Sequence, residues 1–253
     1  MALLVTDAVV LHGFDYLETS RIFRLLTREA GVQSVLAKGV RRSRRRFGSA
    51  LDLFAGGSAE IHTKPGRDLN TLAGFDVVRS RADIALDLGR FTAAAAIAEM
   101  VLRFAGEDAG TALFDAVVGA LDGIAAAAPD DTRAAALAGA WRVVAELGFA
   151  PTVDFCVGCH AGIAADASVA FTHPGGGALC TRCVRLHRAS RTLPAPARDA
   201  LRTWVSGGRY PLADPAETRA HQRLLREFLV EHLADGRELR AFDVWERERW
   251  EGA

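Results

Sequence analysis

Apolar and polar positions alternate in short runs through the first part of the chain. Runs rich in Val, Ile, Leu and Thr occupy residues 3–11, 21–27, 31–38, 57–64 and 69–78, set apart by Gly, Asp or Pro signals, which is the pattern of β-strands. Lys64-Pro65-Gly66 reads as the hairpin turn between the last two. From residue 81 the period lengthens. Phe91, Ala94, Ala95, Ala98 and Leu102, then Leu113, Ala116, Val117, Ala120 and Leu121, recur at helical spacing in Ala-rich sequence. Three or four packed helices are expected up to Phe149, interrupted near residues 106–110 and 129–131. Asp131 or Thr132 is expected to cap the helix carrying Trp141, and Gly148 to stop it. Helical spacing resumes over residues 195–205 and in Leu224, Leu225, Phe228, Leu229, His232 and Leu233.

The pattern predicts an α+β protein. Five short strands suggest a small barrel over residues 1–80, for which the OB-fold is the commonest candidate. A helical domain follows over residues 81–253, interrupted by a cysteine-bearing insertion at residues 150–186.

Length and charge narrow the picture little. With 253 residues, half of them apolar, the chain can bury a sizeable core. Its 31 Lys and Arg balance 31 Asp and Glu, so any attraction to nucleic acid must come from local clustering. The opening residues carry no basic leader before their apolar run, so no secretory signal is expected. The apolar stretch at residues 91–101 contains Thr92 and Glu99 and is too short to span a bilayer. The expected compartment is the cytoplasm, where paired cysteines bind metal or do redox work more often than they form disulfides.

All four cysteines fall in two Cys-x-x-Cys pairs, Cys156/Cys159 and Cys180/Cys183, with twenty residues between the pairs. That spacing predicts one structural zinc ion. Three rivals exist. Cys156-Val157-Gly158-Cys159-His160 also matches a haem attachment sequence, but that chemistry wants export and leaves the second pair unexplained. A thioredoxin-like pair wants a strand running into a helix, which residues 151–160 do not offer. Four buried free thiols are the bland alternative. With four thiolates a zinc ion would be coordinatively closed, a staple and not a catalyst. His160 and His173 are close enough in sequence to replace a ligand.

Charge clusters in one place. Lys38-Gly39-Val40-Arg41-Arg42-Ser43-Arg44-Arg45-Arg46 puts six cations in nine residues, with no acidic residue between Glu29 and Asp52. Such a loop presents guanidinium groups to phosphates unless it is merely a solvated loop. Arg21 and Arg24 are expected to extend the positive surface from one face of their strand. Phe14, Tyr16 and Phe47 are candidate stacking platforms for bases, with core packing as the alternative. Arg219, Arg223 and Arg226 lie at helical spacing and either receive an acidic segment or form a solvated face.

Taken together, the chain resembles the RecO family of bacterial recombination mediators. The resemblance is carried by Gly13-Phe14-Asp15-Tyr16-Leu17-Glu18-Thr19-Ser20-Arg21-Ile22, by Ala37-Lys38-Gly39-Val40-Arg41, and by Gly148-Phe149-Ala150-Pro151 leading into Cys156-Val157-Gly158-Cys159. Gly175-Gly176-Gly177-Ala178-Leu179-Cys180-Thr181-Arg182-Cys183 completes it. It implies an N-terminal OB-fold, a helical domain with a zinc module, and a non-enzymatic role in recombinational DNA repair. It further implies binding of single- and double-stranded DNA, annealing of complementary strands, and loading of RecA with RecR. The loading would take place on DNA coated by single-stranded-DNA-binding protein, whose acidic C-terminal tail such proteins contact. One departure stands out: many relatives have Gly after the second cysteine, where this chain has His160. A zinc-dependent nuclease or hydrolase is the competing class, and the chain shows no paired acidic motif, phosphate loop or nucleophile elbow to support it.

Overall fold

The computed structural model describes residues 2–40, 51–106, 109–186, 190–212, 214–233 and 238–247. Arg41, Arg42, Arg44, Arg45, Arg46 and Phe47 lie outside the described residues. The chain divides into two compact units, Met1–Ala126 and Ala127–Ala253.

In the first unit, β1 (Ala2–Tyr16), β2 (Ser20–Thr27), β3 (Gly31–Ala37), β4 (Gly56–Thr63) and β5 (Leu69–Arg79) close into a barrel of order β1-β2-β3-β5-β4. All neighbours are antiparallel except β3 and β5, which are parallel. Closure leaves no free sheet edge in the barrel. Ala8, Val10, Phe23, Leu25, Val35, Ala59, Ile61, Leu72 and Phe75 fill its interior, one side of each strand's two-residue period. The expected turn at Lys64-Pro65-Gly66 is present, with Gly66 at φ +72° and the Arg67 amide donating to the Lys64 carbonyl. β1 is long enough to pair with β4 from Ala2 to Val9 and with β2 from Ala8 to Tyr16, with a bulge at Leu11 inside the β1–β2 pairing.

Among the described residues this unit also contains three α-helices, α1 (Ala82–Leu86), α2 (Leu88–Phe104) and α3 (Thr111–Ala126). Asp87 caps α2 by accepting from the Arg90 amide at 2.8 Å. The expected apolar stripe of α2 is too narrow. Ala93, Ala94, Ala96, Ile97, Ala98, Met100 and Val101 are all buried, and a helix buried on most sides shows little amphipathic contrast.

α3 carries Asp115 and Asp122 two turns apart on one face. Asp115 receives Arg28 at 2.6 Å, and Asp122 receives Arg81 at 2.7 Å and Arg79. The Arg81 side chain is 4% exposed and also donates to the Phe54 carbonyl at 2.7 Å. Expected strand and helix regions thus meet at residue 81, while the compact unit runs on to Ala126, because these ion pairs bind α3 to the barrel's strand ends.

The second unit contains α4 (Thr132–Val144), α5 (Ala195–Val205), α6 (Pro215–His232) and α7 (Arg240–Arg247). Between α4 and α5 lies a three-stranded sheet of β6 (Val169–Thr172), β7 (Gly177–Leu179) and β8 (Ser190–Leu193), in the order β7-β6-β8. Neither Asp131 nor Thr132 caps α4 with its side chain. A short 3-10 turn at Pro129–Asp131 leads into the helix instead, and the Thr132 hydroxyl donates back to the Ala128 carbonyl. Gly148, at φ +91°, ends the helix within a wide last turn. Trp141 of α4 and Phe171 of β6 both pack on Phe228 of α6, with ring centroids 5.3 and 6.3 Å away. Among the described residues no helix is long and apolar enough to cross a membrane.

Candidate metal centre and cationic barrel surface

The Cys156, Cys159, Cys180 and Cys183 sulfurs converge, all within 4.8 Å of one another. Both knuckles are built alike. The carbonyl of each first cysteine accepts from the amide four residues on, His160 to Cys156 at 2.8 Å and Val184 to Cys180 at 3.0 Å. The knuckles are brought together by β7, where a parallel bridge joins Thr152 to Gly177 and the Val157 amide donates to Ala178. A Cβ at Gly177 would lie 2.3 Å from the Thr152 carbonyl oxygen, so only glycine permits that approach.

The donor set fits a metal ion. Cys159 and Cys180 Sγ are 3.7 Å apart, against about 3.8 Å between sulfurs of a tetrahedral site with metal–sulfur bonds of about 2.3 Å. Burial of Cys156 opposes its ionisation, but the amides of Cys180, Gly158 and Cys159 outweigh it and hold the thiol down at about 6. Cys183 is pushed up to about 12, first by its hydrogen bond with Cys159 and next by that with Cys180. Four thiolates at this spacing repel one another, so the last proton resists removal until a cation occupies the centre. His160 and His173 take no part. His160 is exposed, and His173 sits 2.9 Å from Glu227 of α6.

His160 occupies the left-handed region at φ 60°, where an L side chain costs about 1–2 kcal/mol and glycine does not. The knuckle therefore forms despite the departure from the family pattern, under strain. His160→Gly is expected to stabilise the second unit by about 1 kcal/mol, read as a raised melting temperature, while His160→Ala yields no such gain.

Two arginines of α5 hold the module and were illegible in the sequence, where basic residues at helical spacing read as solvated. The Arg198 side chain is 1% exposed and donates to the carbonyls of Ala164 (2.7 Å), Ala167 (2.9 Å) and Ile163 (3.2 Å). Arg202 pairs with Asp154 at 2.6 Å and, by that hydrogen bond first, holds its carboxyl below the ordinary value.

On the barrel, Lys38 is exposed just past β3. Arg21 and Arg24 do not share a face as expected. Three positions apart in a strand place them on opposite sides: Arg21 lies over the Phe23 ring at 5.0 Å and pairs with Asp15, while Arg24 points outward. On α6, Arg219 and Arg223 are exposed, whereas Arg226 is committed to Glu246 at 2.7 Å.

A closed five-stranded barrel, followed by helices and a small sheet that carries a four-cysteine cluster able to hold a metal ion, defines an α+β protein. Comparison with known proteins narrows the class. Residues 1–81 match the family model for the N terminus of recombination protein O, and residues 85–240 the model for its C terminus. The chain is 38% identical over 245 residues to the DNA repair protein RecO of Anaeromyxobacter sp. strain K, covering 92% of each. Identity to the RecO of Anaeromyxobacter dehalogenans strain 2CP-C is 39% over the same length and coverage. The chain belongs to the RecO family of DNA repair and recombination proteins.

Proposed function

We propose that this protein is a non-enzymatic recombination mediator that binds single- and double-stranded DNA, anneals complementary strands, and acts in the cytoplasm, at the nucleoid. In this reading it works with RecR to load RecA onto DNA coated by single-stranded-DNA-binding protein, whose acidic tail it also contacts. Residues 1–80 form an OB-fold DNA-binding domain, as the strand order and the parallel β3–β5 closure support. Residues 81–253 form the helical domain, with residues 150–186 as its zinc-binding insertion. Cys156, Cys159, Cys180 and Cys183 would hold one structural zinc ion, which when bound supplies cross-linking and no open ligand position.

The observation that carries this reading is the run from Lys38 through Arg41, Arg42, Arg44, Arg45 and Arg46, which leaves β3 of a closed barrel in a RecO-family chain. Annealing is opposed by repulsion between two polyanions, and a cationic surface relieves it without covalent chemistry. A nuclease, by contrast, requires an open metal position that four thiolates do not leave.

Replacing the six cations with Gln is expected to weaken DNA binding and annealing together while leaving the melting profile unchanged. For about six phosphates, wild-type log affinity should fall against log salt with a slope of roughly −4 on single strands and roughly −5 on duplex. Undiminished annealing by the six-fold variant, or a flat salt response of the wild type, would reject the reading.

A further inference from the structure

The four cysteines of the metal centre are not equal. Cys156 and Cys183 are buried, whereas Cys159 and Cys180 are partly exposed, so each knuckle contributes one covered residue and one that solvent reaches. The covered pair packs with Leu179 in a small apolar cluster, and the Cys156 sulfur also accepts from the Cys180 amide at 3.3 Å. The two accessible cysteines belong to different knuckles, yet their sulfurs lie 3.7 Å apart.

Two thiolates held side by side within reach of solvent are what a two-electron oxidant converts to a disulfide. Attack needs an ionised sulfur and access to it, and coordination to a metal keeps a cysteine ionised. Arg182 is exposed and hydrogen-bonds to the sulfurs of both Cys159 and Cys180. Its cation therefore stands beside the pair, where hydroxide departs when a sulfur is oxidised.

The surroundings allow the change to be undone. Arg198 of α5 grips the carbonyls of Ile163, Ala164 and Ala167 between the knuckles, and β7 is bridged to Thr152. Neither attachment uses a sulfur. With a bond across the knuckles in place of the metal, cross-link and clamp together keep the four sulfurs near one another, and a dithiol can then reopen the bond by exchange.

We propose that Cys159 and Cys180 are a reversible oxidation site, converted by hydrogen peroxide to a disulfide that bridges the two knuckles and expels the zinc. This rests on the zinc-binding reading given above and adds a way to undo it. One thiolate of the pair displaces hydroxide from the peroxide, so that the O–O bond breaks and a sulfenic acid forms. The other thiolate then attacks that sulfur, the S–S bond forms, the S–O bond breaks, and a second hydroxide leaves. Protons from solvent turn both hydroxides into water: two thiolates, one peroxide and two protons give one disulfide and two waters. Attack at either sulfur first leads to the same product. Cys156 and Cys183 remain as buried thiols, too few to close a structural zinc site.

The test uses the full zinc-loaded chain, treated with a molar excess of hydrogen peroxide, then cleaved without reduction and mapped by mass spectrometry. Zinc is followed with a chromogenic chelator too weak to strip the untreated protein. The expected result is a single disulfide between Cys159 and Cys180, loss of one zinc per chain, and recovery of thiols and metal on adding dithiothreitol and zinc. A disulfide within one knuckle, oxidation of single sulfurs without a disulfide, zinc retained in excess peroxide, or failure of the dithiol to restore the site would overturn the proposal. A chain that binds zinc and gives any of those results keeps its staple and loses the switch. A reduced chain that binds no zinc sinks the metal reading alone, because mapping the disulfide formed by its free thiols still decides for or against the Cys159–Cys180 pair.

Discussion

Replacing Cys156 and Cys183 together with serine is expected to unfold the segment between α4 and α5 and to abolish the zinc binding proposed above. Chelation of the wild type should do the same. Both residues are buried, and the sheet beside them is small, its strands three or four residues long, so that besides the thiol cluster the segment is held chiefly by Arg198 and Arg202 of α5. Structural zinc sites supply about 10–16 kcal/mol of binding free energy at neutral pH, which is folding free energy where the site does not preform. The damage should spread beyond the knuckles, because β6 places Phe171, fully buried, against Phe228 of α6. Calorimetry is the measurement. The second unit's transition should fall by tens of degrees or disappear, the first unit's should stay, and a colorimetric assay should count one zinc released per chain. A serine variant that melts like the wild type would refute the staple. So would one that stays folded and loses all DNA binding, since the barrel and its cations lie in the other unit.

The second large effect concerns where the chain can be cut. A fragment ending at Ala126 is expected to fold cooperatively, and one ending near residue 80 is expected to aggregate or remain unfolded. Val9 and Leu26 are partners across β1 and β2, facing away from the barrel interior, yet both are fully buried. Phe54 is 2% exposed with its ring 5.9 Å from Phe91 of α2. Losing the helices would expose all three, at about 1.5–3 kcal/mol each. It would also strip Arg79 and Arg28 of Asp122 and Asp115. Against a total stability of about 5–15 kcal/mol, that loss is decisive. Thermal melts of the two fragments followed by circular dichroism would show it, and a sharp transition in the shorter one would contradict it.

Much of this architecture was legible from pattern. β2 to β5 end within a residue or so of the runs that announced them, because each strand has one buried side and the period survives. β1 runs five residues past its predicted end. Leu11 is the extra residue of a bulge, so simple alternation breaks at His12 just where pairing with β2 continues. The thiol cluster was visible because ligand spacing is a property of sequence. The small sheet around it was not, since three- and four-residue strands such as Gly177–Leu179 carry no readable period. Arg198 was hidden for the opposite reason. A cation in a helix reads as solvated, and only the surrounding carbonyls make its burial tolerable.

The one-residue offset at Leu11 also changes how a gap in this strand should be understood. Deleting that residue would remove one buried leucine and keep every polar and aromatic group, yet it would turn Phe14 and Tyr16 toward the crowded interior and send Asp15 outward. At this point in the chain, length behaves as a sign. When relatives are compared, a single-residue gap here marks an inverted surface, even where every neighbouring residue is identical.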